Sequence, residues 1–318
     1  MQFQLAIESN GELWQPSVLD GVSWETERRG SPGKLSFNVL RDDFLKMEEG
    51  SAVGLSVDGK DVFHGNVFSR KFDKQLSISV TAYDQIRYLK NKDTIYYDNK
   101  TASDVIEMIA GDYGIRLGDI EKTDFIISDR NEKNTSLLDI FYNALDLELT
   151  HAGKMFVLYD DYGKLCLKTP ENMEVPICIN EGTAENFDYN ISIDNETYNK
   201  VKLIYEDSDS GGRAYYDAKD LDNIKKWGLL QYFESIKKGE VGQTKANNLL
   251  KMYNAPTRSL KIKNVVGDVR VRAGSLVTVK LNLGDMAVDS KMLVEKCSHV
   301  WNESEHWMDL TLRSSMFY

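Results

Sequence analysis

The chain has 318 residues, 42% hydrophobic and 28% charged, with a formal net charge of -11. That length supports two or three domains with real cores, and no run approaches the ~20 apolar residues a membrane-crossing helix needs. The acidic balance argues against wrapping DNA by phosphate neutralisation, which demands clustered Lys and Arg.

Met1–Gly11 has no basic region followed by an apolar one, so no secretory leader is expected. The three cysteines, Cys166, Cys178 and Cys297, are odd in number and widely spaced, which implies no disulfide framework and synthesis in a reducing cytoplasm. At 22–40, "VSWETERRGSPGKLSFNVL" has the layout of a hairpin around a Ser-Pro-Gly turn. "GSAVGLSV" at 50–57 follows, with Val53, Leu55 and Val57 on one face, and then two more alternating runs, "DVFHGNVFSRKF" and "LSISVTAYD". These strands predict a small β-barrel over 1–88.

From 89 to 175 the pattern predicts a mixed α+β middle domain. Thr101 and Asp104 carry a cap signal for a helix with Ala102, Val105, Ile106 and Ile109 on one face, ending at Gly111 and Gly114. A second helix places Leu137, Leu138, Phe141, Ala144 and Leu145 on a stripe. "KMFVLYDDYGKLCLK" reads as a hairpin turning at Asp160 to Gly163.

A second β-barrel is expected from 176–206 and 257–318. "ISIDNETYNKVKLIYE" (191–206) repeats the hairpin layout, "GSLVTVKL" (274–281) repeats the Gly-Ser strand with Val277, Val279 and Leu281 on one face, and "KMLVEKCSHVW" and "HWMDLTLRSS" repeat the closing pair. Leu55 and Val279 then occupy equivalent interior positions. Reuse of amphipathic strands would account for one such match; the recurrence of the whole strand order favours duplication. Between the parts, 207–256 is expected to be a helical insertion that opens in an acidic, glycine-rich loop, "EDSDSGGR". Its helices are expected at 221–238, which carries Ile224, Trp227, Leu230, Phe233 and Ile236, and at 244–254, ended before Pro256. The fold class is therefore mainly β with α+β parts.

Catalytic chemistry has no local signature. The sequence has no Gly-x-Ser-x-Gly elbow, phosphate loop or dinucleotide fingerprint, and its 50 acidic residues make any carboxylate pair uninformative. Cys297, His299 and His306 could form part of a metal site but lack a fourth ligand. Trp301 and Trp307 either stack on sugars or pack a barrel end. No catalytic, cofactor-binding or metal-ligating residue is expected, and the chain is not expected to be an enzyme.

The whole arrangement resembles the baseplate hub proteins of contractile phage tails, the late control protein D family, with the branch of PBSX-like prophages and R-type bacteriocins nearest. "GKLSFNVLRDD", "TAYDQIRYLKNKDTIYYDNKTASDVI", "KNTSLLD", "GKMFVLYDDYGKLCLK" and "VVGDVRVRAGSLVTVK" carry the resemblance. It implies a homotrimeric ring in which two alike barrels per chain match a sixfold tail tube above and a threefold central spike below. Tail tube, spike and other baseplate proteins are the implied partners, without a membrane and without specific nucleic-acid binding, although DNA passes through the channel of a phage. The chain would be made in the bacterial cytoplasm and built into a virion or bacteriocin particle. The competing readings are a tail-associated peptidoglycan hydrolase and a cell-wall carbohydrate-binding tail protein.

Overall fold

The computed structural model describes residues 3–9, 11–41, 47–74, 76–206, 211–237, 240–282, 287–302 and 305–314. Period-two alternation builds the first part from β1 (Phe3–Ser9), β2 (Glu12–Trp14), β3 (Val22–Glu27), β4 (Lys34–Leu40), β5 (Ala52–Val57), β6 (Lys60–Phe72) and β7 (Ser77–Tyr83). They lie in the order β3-β4-β7-β6-β5-β1-β2, and Val53, Leu55 and Val57 point into a shared apolar cluster with Trp24, Leu35 and Phe37.

The middle part follows a 3-10 turn at Gln85–Lys90 and contains β8 (Lys92–Lys100), α1 (Ala102–Asp112), β9 (Leu117–Ile120), β10 (Ile127–Ser136), α2 (Leu137–Ala152), β11 (Val157–Asp160) and β12 (Leu165–Lys168). Thr101 and Asp104 form the expected reciprocal cap on α1. Gly153, at φ +73°, ends α2 in the left-handed region that favours glycine. The apolar faces of the two helices meet in one cluster around Ile106, Ile109, Leu137 and Phe141. The β11–β12 hairpin forms as expected; the β8–β10 ladder and the parallel β9–β12 pairing had no turn signal to announce them.

The remaining elements are β13 (Glu174–Asn180), β14 (Asn186–Ser192), β15 (Lys200–Glu206), β16 (Arg213–Lys219), α3 (Leu221–Trp227), β17 (Gln231–Ile236), α4 (Gly242–Tyr253), β18 (Thr257–Val266), β19 (Leu276–Asn282), β20 (Ala287–Asn302) and β21 (Glu305–Ser314). Six of them repeat the first part's order as β14-β18-β21-β20-β19-β13. Four antiparallel ladders recur: β3–β4 as β14–β18, β4–β7 as β18–β21, β6–β7 as β20–β21, and β5–β6 as β19–β20.

The match extends to single hydrogen bonds. Gly50 N–H donates to Val67 O and Val67 N–H to Ser51 O, at 2.8 and 2.9 Å; Gly274, Val294 and Ser275 make the same pair at 2.8 and 2.9 Å. Ser51 Oγ accepts from Glu48 N–H as Ser275 Oγ accepts from Arg272 N–H. Both glycines sit at φ +94°, where a Cβ would be strained. One ladder departs from the pattern: β1 meets β5 antiparallel, whereas β13 meets β19 parallel.

Three expectations require correction. The run 191–206 is not a hairpin: β14 pairs with β18, while β15 leaves for a separate three-stranded sheet between β16 and β17. The helix expected at 221–238 ends at Trp227, because Gly228, at φ +80°, reverses the chain and the alternating "QYFESI" then pairs parallel to β15. Finally, no closed barrel forms among the described residues. β20 is 16 residues long; its first half pairs with β19 and its second half, Lys296–Trp301, pairs antiparallel with β3. The two six-strand sets, with β2 at the edge of the first, thereby fuse into one 13-stranded sheet over two apolar clusters. Residues 207–210 of the acidic loop expected at 206–213 lie outside the described residues.

The three-stranded sheet and α4 enclose a small cluster of their own around Val201, Leu203, Ala246 and Leu249. This unit docks on the middle part: Asn248 Nδ2 donates to Thr150 O at 2.7 Å, and Arg130 pairs with Glu240 at 3.4 Å. Lys245 is buried there between Glu234 and Glu240, at 2.8 and 2.7 Å, so its charge is compensated twice.

Candidate functional site

The seam between β3 and β20 gathers the residues singled out from sequence. Alternation along β20 sends Cys297, His299 and Trp301 to one side, where β3 supplies Trp24 and β21 supplies His306. The rings form a pile: Trp24 lies 5.1 Å from His299, His306 4.7 Å from Trp301, and the two imidazoles 5.0 Å apart. Gly267 lies against His306, where a Cβ would overlap the ring.

The hydrogen bonds fix the protonation pattern. Val271 O can only accept, so His299 Nε2 carries the proton it donates at 2.8 Å, and His299 Nδ1 accepts from His306 Nε2 at 2.8 Å. Burial holds both imidazoles neutral, with His299 pushed down to about 3 and His306 to about 4. Cys297 Sγ sits 3.1 Å from His299 Nε2, and burial pushes its thiol up, away from the thiolate a metal would bind. The three residues do meet, but both ring nitrogens of His299 are taken up in hydrogen bonds, to Val271 O and to His306 Nε2. Among the described residues no group of three or more His, Cys, Asp or Glu has the arrangement to hold a metal ion.

The tryptophans separate. Trp301 is fully buried under the imidazoles, while its neighbour across the turn, Trp307, points to the other face of the sheet and donates to Glu305 at 3.1 Å. They form no common platform for a sugar ring.

A second cluster, which sequence reasoning missed, ties the three parts together. Asp84 is buried at the end of β7 and accepts from Gly33 N–H at 2.8 Å and Ile86 N–H at 3.0 Å. Asp160 accepts from Gly163 N–H at 2.8 Å and Gln85 Nε2 at 2.9 Å. Arg272 reaches across from the second set, stacking 4.5 Å from Tyr159 and 5.5 Å from Trp24 and donating to Asp160 O at 2.6 Å. Burial raises both carboxyl groups, that of Asp84 well above the usual range. Raised acids are what general acid catalysis needs, yet these are buried against backbone amides and Gln85 and line neither groove described next.

Among the open grooves of the described residues, two border the seam and α2. One, of about 510 Å³, runs over the outer face of the seam past Glu25, Lys34, Arg87, Lys261, Lys296 and Asp309. The other, of about 600 Å³, separates α2 from β17 and α4 and is lined mainly by charged side chains such as Arg28, Arg130, Asp146 and Glu234. Neither has the apolar walls with few convergent polar groups typical of a small-molecule site.

Comparison with known proteins gives a consistent result. A model of the YQBQ-like family matches residues 22–313. The phage-like element PBSX protein XkdQ of Bacillus subtilis is 28% identical over 308 residues, 93% of this chain and 93% of that protein. Among solved structures, the 43 kDa tail protein of prophage MuSo2 from Shewanella oneidensis superposes with a TM-score of 0.75 at 12% identity, covering 99% of each chain. An E. coli type VI secretion component, described as similar to the T4 tail proteins gp27 and gp5, superposes at 0.58 and 11% identity over 99% of this chain and 78% of that one. At such identities the likeness speaks for the fold, which is that of phage tail and baseplate proteins.

Proposed function

Because this chain belongs to the YQBQ-like family, we propose that it is a structural hub of a contractile tail baseplate, three copies of which form a ring joining a sixfold tail tube to a threefold central spike. The carrying observation is the internal duplication: one chain holds two six-strand sets with the same order and the same Gly-Ser turn bonds. Three such chains present six alike units around an axis. The partners are then the tube, the spike and other baseplate proteins, and the place of action is a virion or bacteriocin particle assembled from chains made in the bacterial cytoplasm. The four apolar clusters support a division into a first β unit, a middle α+β unit, a second β unit and an inserted unit.

The role is non-enzymatic in this reading. Asp84 and Asp160, the described acids with raised carboxyl groups, are buried, bonded to backbone amides and to Gln85, and line neither groove, which offers a glycan strand no site on them. Purified chain incubated with peptidoglycan should release no soluble fragments; release abolished by Asp160→Asn would support the hydrolase reading instead. Placement in the particle is tested by imaging assembled tails carrying a tagged chain. The tag should lie in a ring between tube and spike, and a tag elsewhere on the particle would refute the hub role.

A further inference from the structure

Duplication makes the seam inside the chain a template for a seam between chains. Each β set has a counterpart of β3 and of the outer half of β20, but only one such pair meets within a molecule. The unmatched elements are β14, which ends the strand order and pairs only with β18 among the described residues, and the outer half of β6, which has β7 on one side and no described strand on the other. From this we infer that the outer half of β6 in one copy pairs antiparallel with β14 of a second copy, in the register of the β20–β3 seam. The inference rests on the ring reading above.

The register follows from the ladders. Val67 pairs with Ala82, Ala82 with Leu35, and Leu35 with Trp24; in the second set Val294 pairs with Leu312, Leu312 with Leu260, and Leu260 with Tyr189. Trp24 and Tyr189 are therefore equivalent. β6 and β20 carry the same one-residue irregularity, between Val67 and Ser69 and between Val294 and Lys296, so Ser69 matches Lys296 and Phe72 matches His299. Inside the chain His299 sits opposite Trp24. Between chains Phe72 then sits opposite Tyr189, with Arg70 opposite Ile191 and Ser69 opposite Ser192.

Chemistry agrees with this pairing. The internal partners Trp24 and His299 are 3% and 0% exposed, whereas Phe72 is 56% and Ile191 40% exposed. An aromatic ring and a β-branched side chain left open on sheet edges need cover, and an aromatic pair across strands stabilises such a junction. No like charges face one another from Ser69 to Phe72. Beyond it Asp73 would face Asp188, which ends the pairing four residues along, at the end of β6. The contact is heterologous, β6 of one copy against β14 of the next, so it propagates and closes by rotation.

The test is disulfide trapping in full-length chain with Cys178, the exposed cysteine, replaced by serine. Directly opposed strand residues lie within disulfide reach, so chains with Phe72→Cys and Tyr189→Cys should cross-link on oxidation at least about tenfold faster than chains with Lys71→Cys and Tyr189→Cys. Ser69→Cys with Ser192→Cys provides a second pair in the same register should the first disturb folding. Absence of inter-chain disulfides from both pairs at concentrations up to about 1 mM, or equal rates in the shifted pair, overturns the seam. Copy number is read separately on the non-reducing gel. Linked rings of a size other than three retain the seam and refute the three-chain ring, and three-chain particles that fail to link do the reverse.

Discussion

Trp24 and His299 at the seam, and Tyr189 and Phe72 at the open edges, occupy equivalent points of the same strand pattern. The first pair is stacked and buried; Phe72 is 56% exposed and Tyr189 half-buried. Local sequence cannot account for this contrast, since each strand alternates in the same way. What differs is the strand alongside: β20 finds β3 within its own chain, and the outer half of β6 finds none beyond β7 among the described residues. Duplication has thus produced one closed junction and one waiting junction from the same parts.

The strongest way to break the comparison is to damage both sets at equivalent points. Leu55 and Val279 are each fully buried in their own cluster. Leu55→Asp and Val279→Asp should each cost several kcal/mol, because an unpaired carboxylate is forced into apolar surroundings. Thermal melts should show comparable losses; tolerance at one position alone would mean that the two strands are not equivalent.

Next come the two junctions. Trp301→Ala removes a fully buried ring and should cost about 3–5 kcal/mol in chemical denaturation. Phe72→Ala should change the isolated chain by less than about 0.5 kcal/mol while weakening assembly. Equal effects in the isolated chain would erase the distinction between closed and waiting junctions.

The seam should also leave a pH signature. His299 and His306 have folded values lowered to about 3 and about 4, against an unfolded value of about 6.5. Between these limits the unfolded chain binds more protons, so the stability they contribute is fully present above about pH 6.5 and is lost as pH falls towards the folded values. Asp84, raised by burial, contributes an opposite slope, with stability lost as pH rises from its unfolded value towards its raised one. Comparing His299→Gln with the parent isolates the imidazole: the variant should show a flatter rise of stability with pH between about 4 and 6.5, and an unchanged slope would place His299 outside the titrating set.

The smallest expected effect on the two β sets comes from the inserted unit. Thr257 Oγ1 donates to Ser192 O at 3.0 Å, so the ends of β14 and β18 already touch. Replacing 194–255 by a short Gly-Ser linker should leave both sets folded by circular dichroism and expose the α2 face that α4 covers. Complete unfolding would show that β15 and α4 belong to the core.

Much of this was legible in the sequence. The Gly-Ser turns marked the repeat because a left-handed glycine and a serine hydroxyl are needed at the same two places in each set. The capping box at Thr101 and the stripes of α1 and α2 followed from local chemistry. By contrast, "NKVKLIYE" reads as the second strand of a hairpin, but β18 takes that place beside β14, and β15 pairs with β16 and β17 instead. "QYFESI" fits a helix face by its spacing at 3.6 residues and fits a strand by its alternation, and Gly228 decided for the strand. Asp84, Asp160 and Arg272 are single polar residues from three regions, with no spacing that links them before the chain folds.

The number of chains in the proposed ring is the most direct test of the hub role. If the proposed hub role holds, images of the assembled tail, or of the chain mixed with tube and spike proteins, should resolve three chains supplying six alike β units around one channel, with each chain contributing one internal β20–β3 seam. Six chains in the ring, or β units not arranged about a common axis, would contradict it.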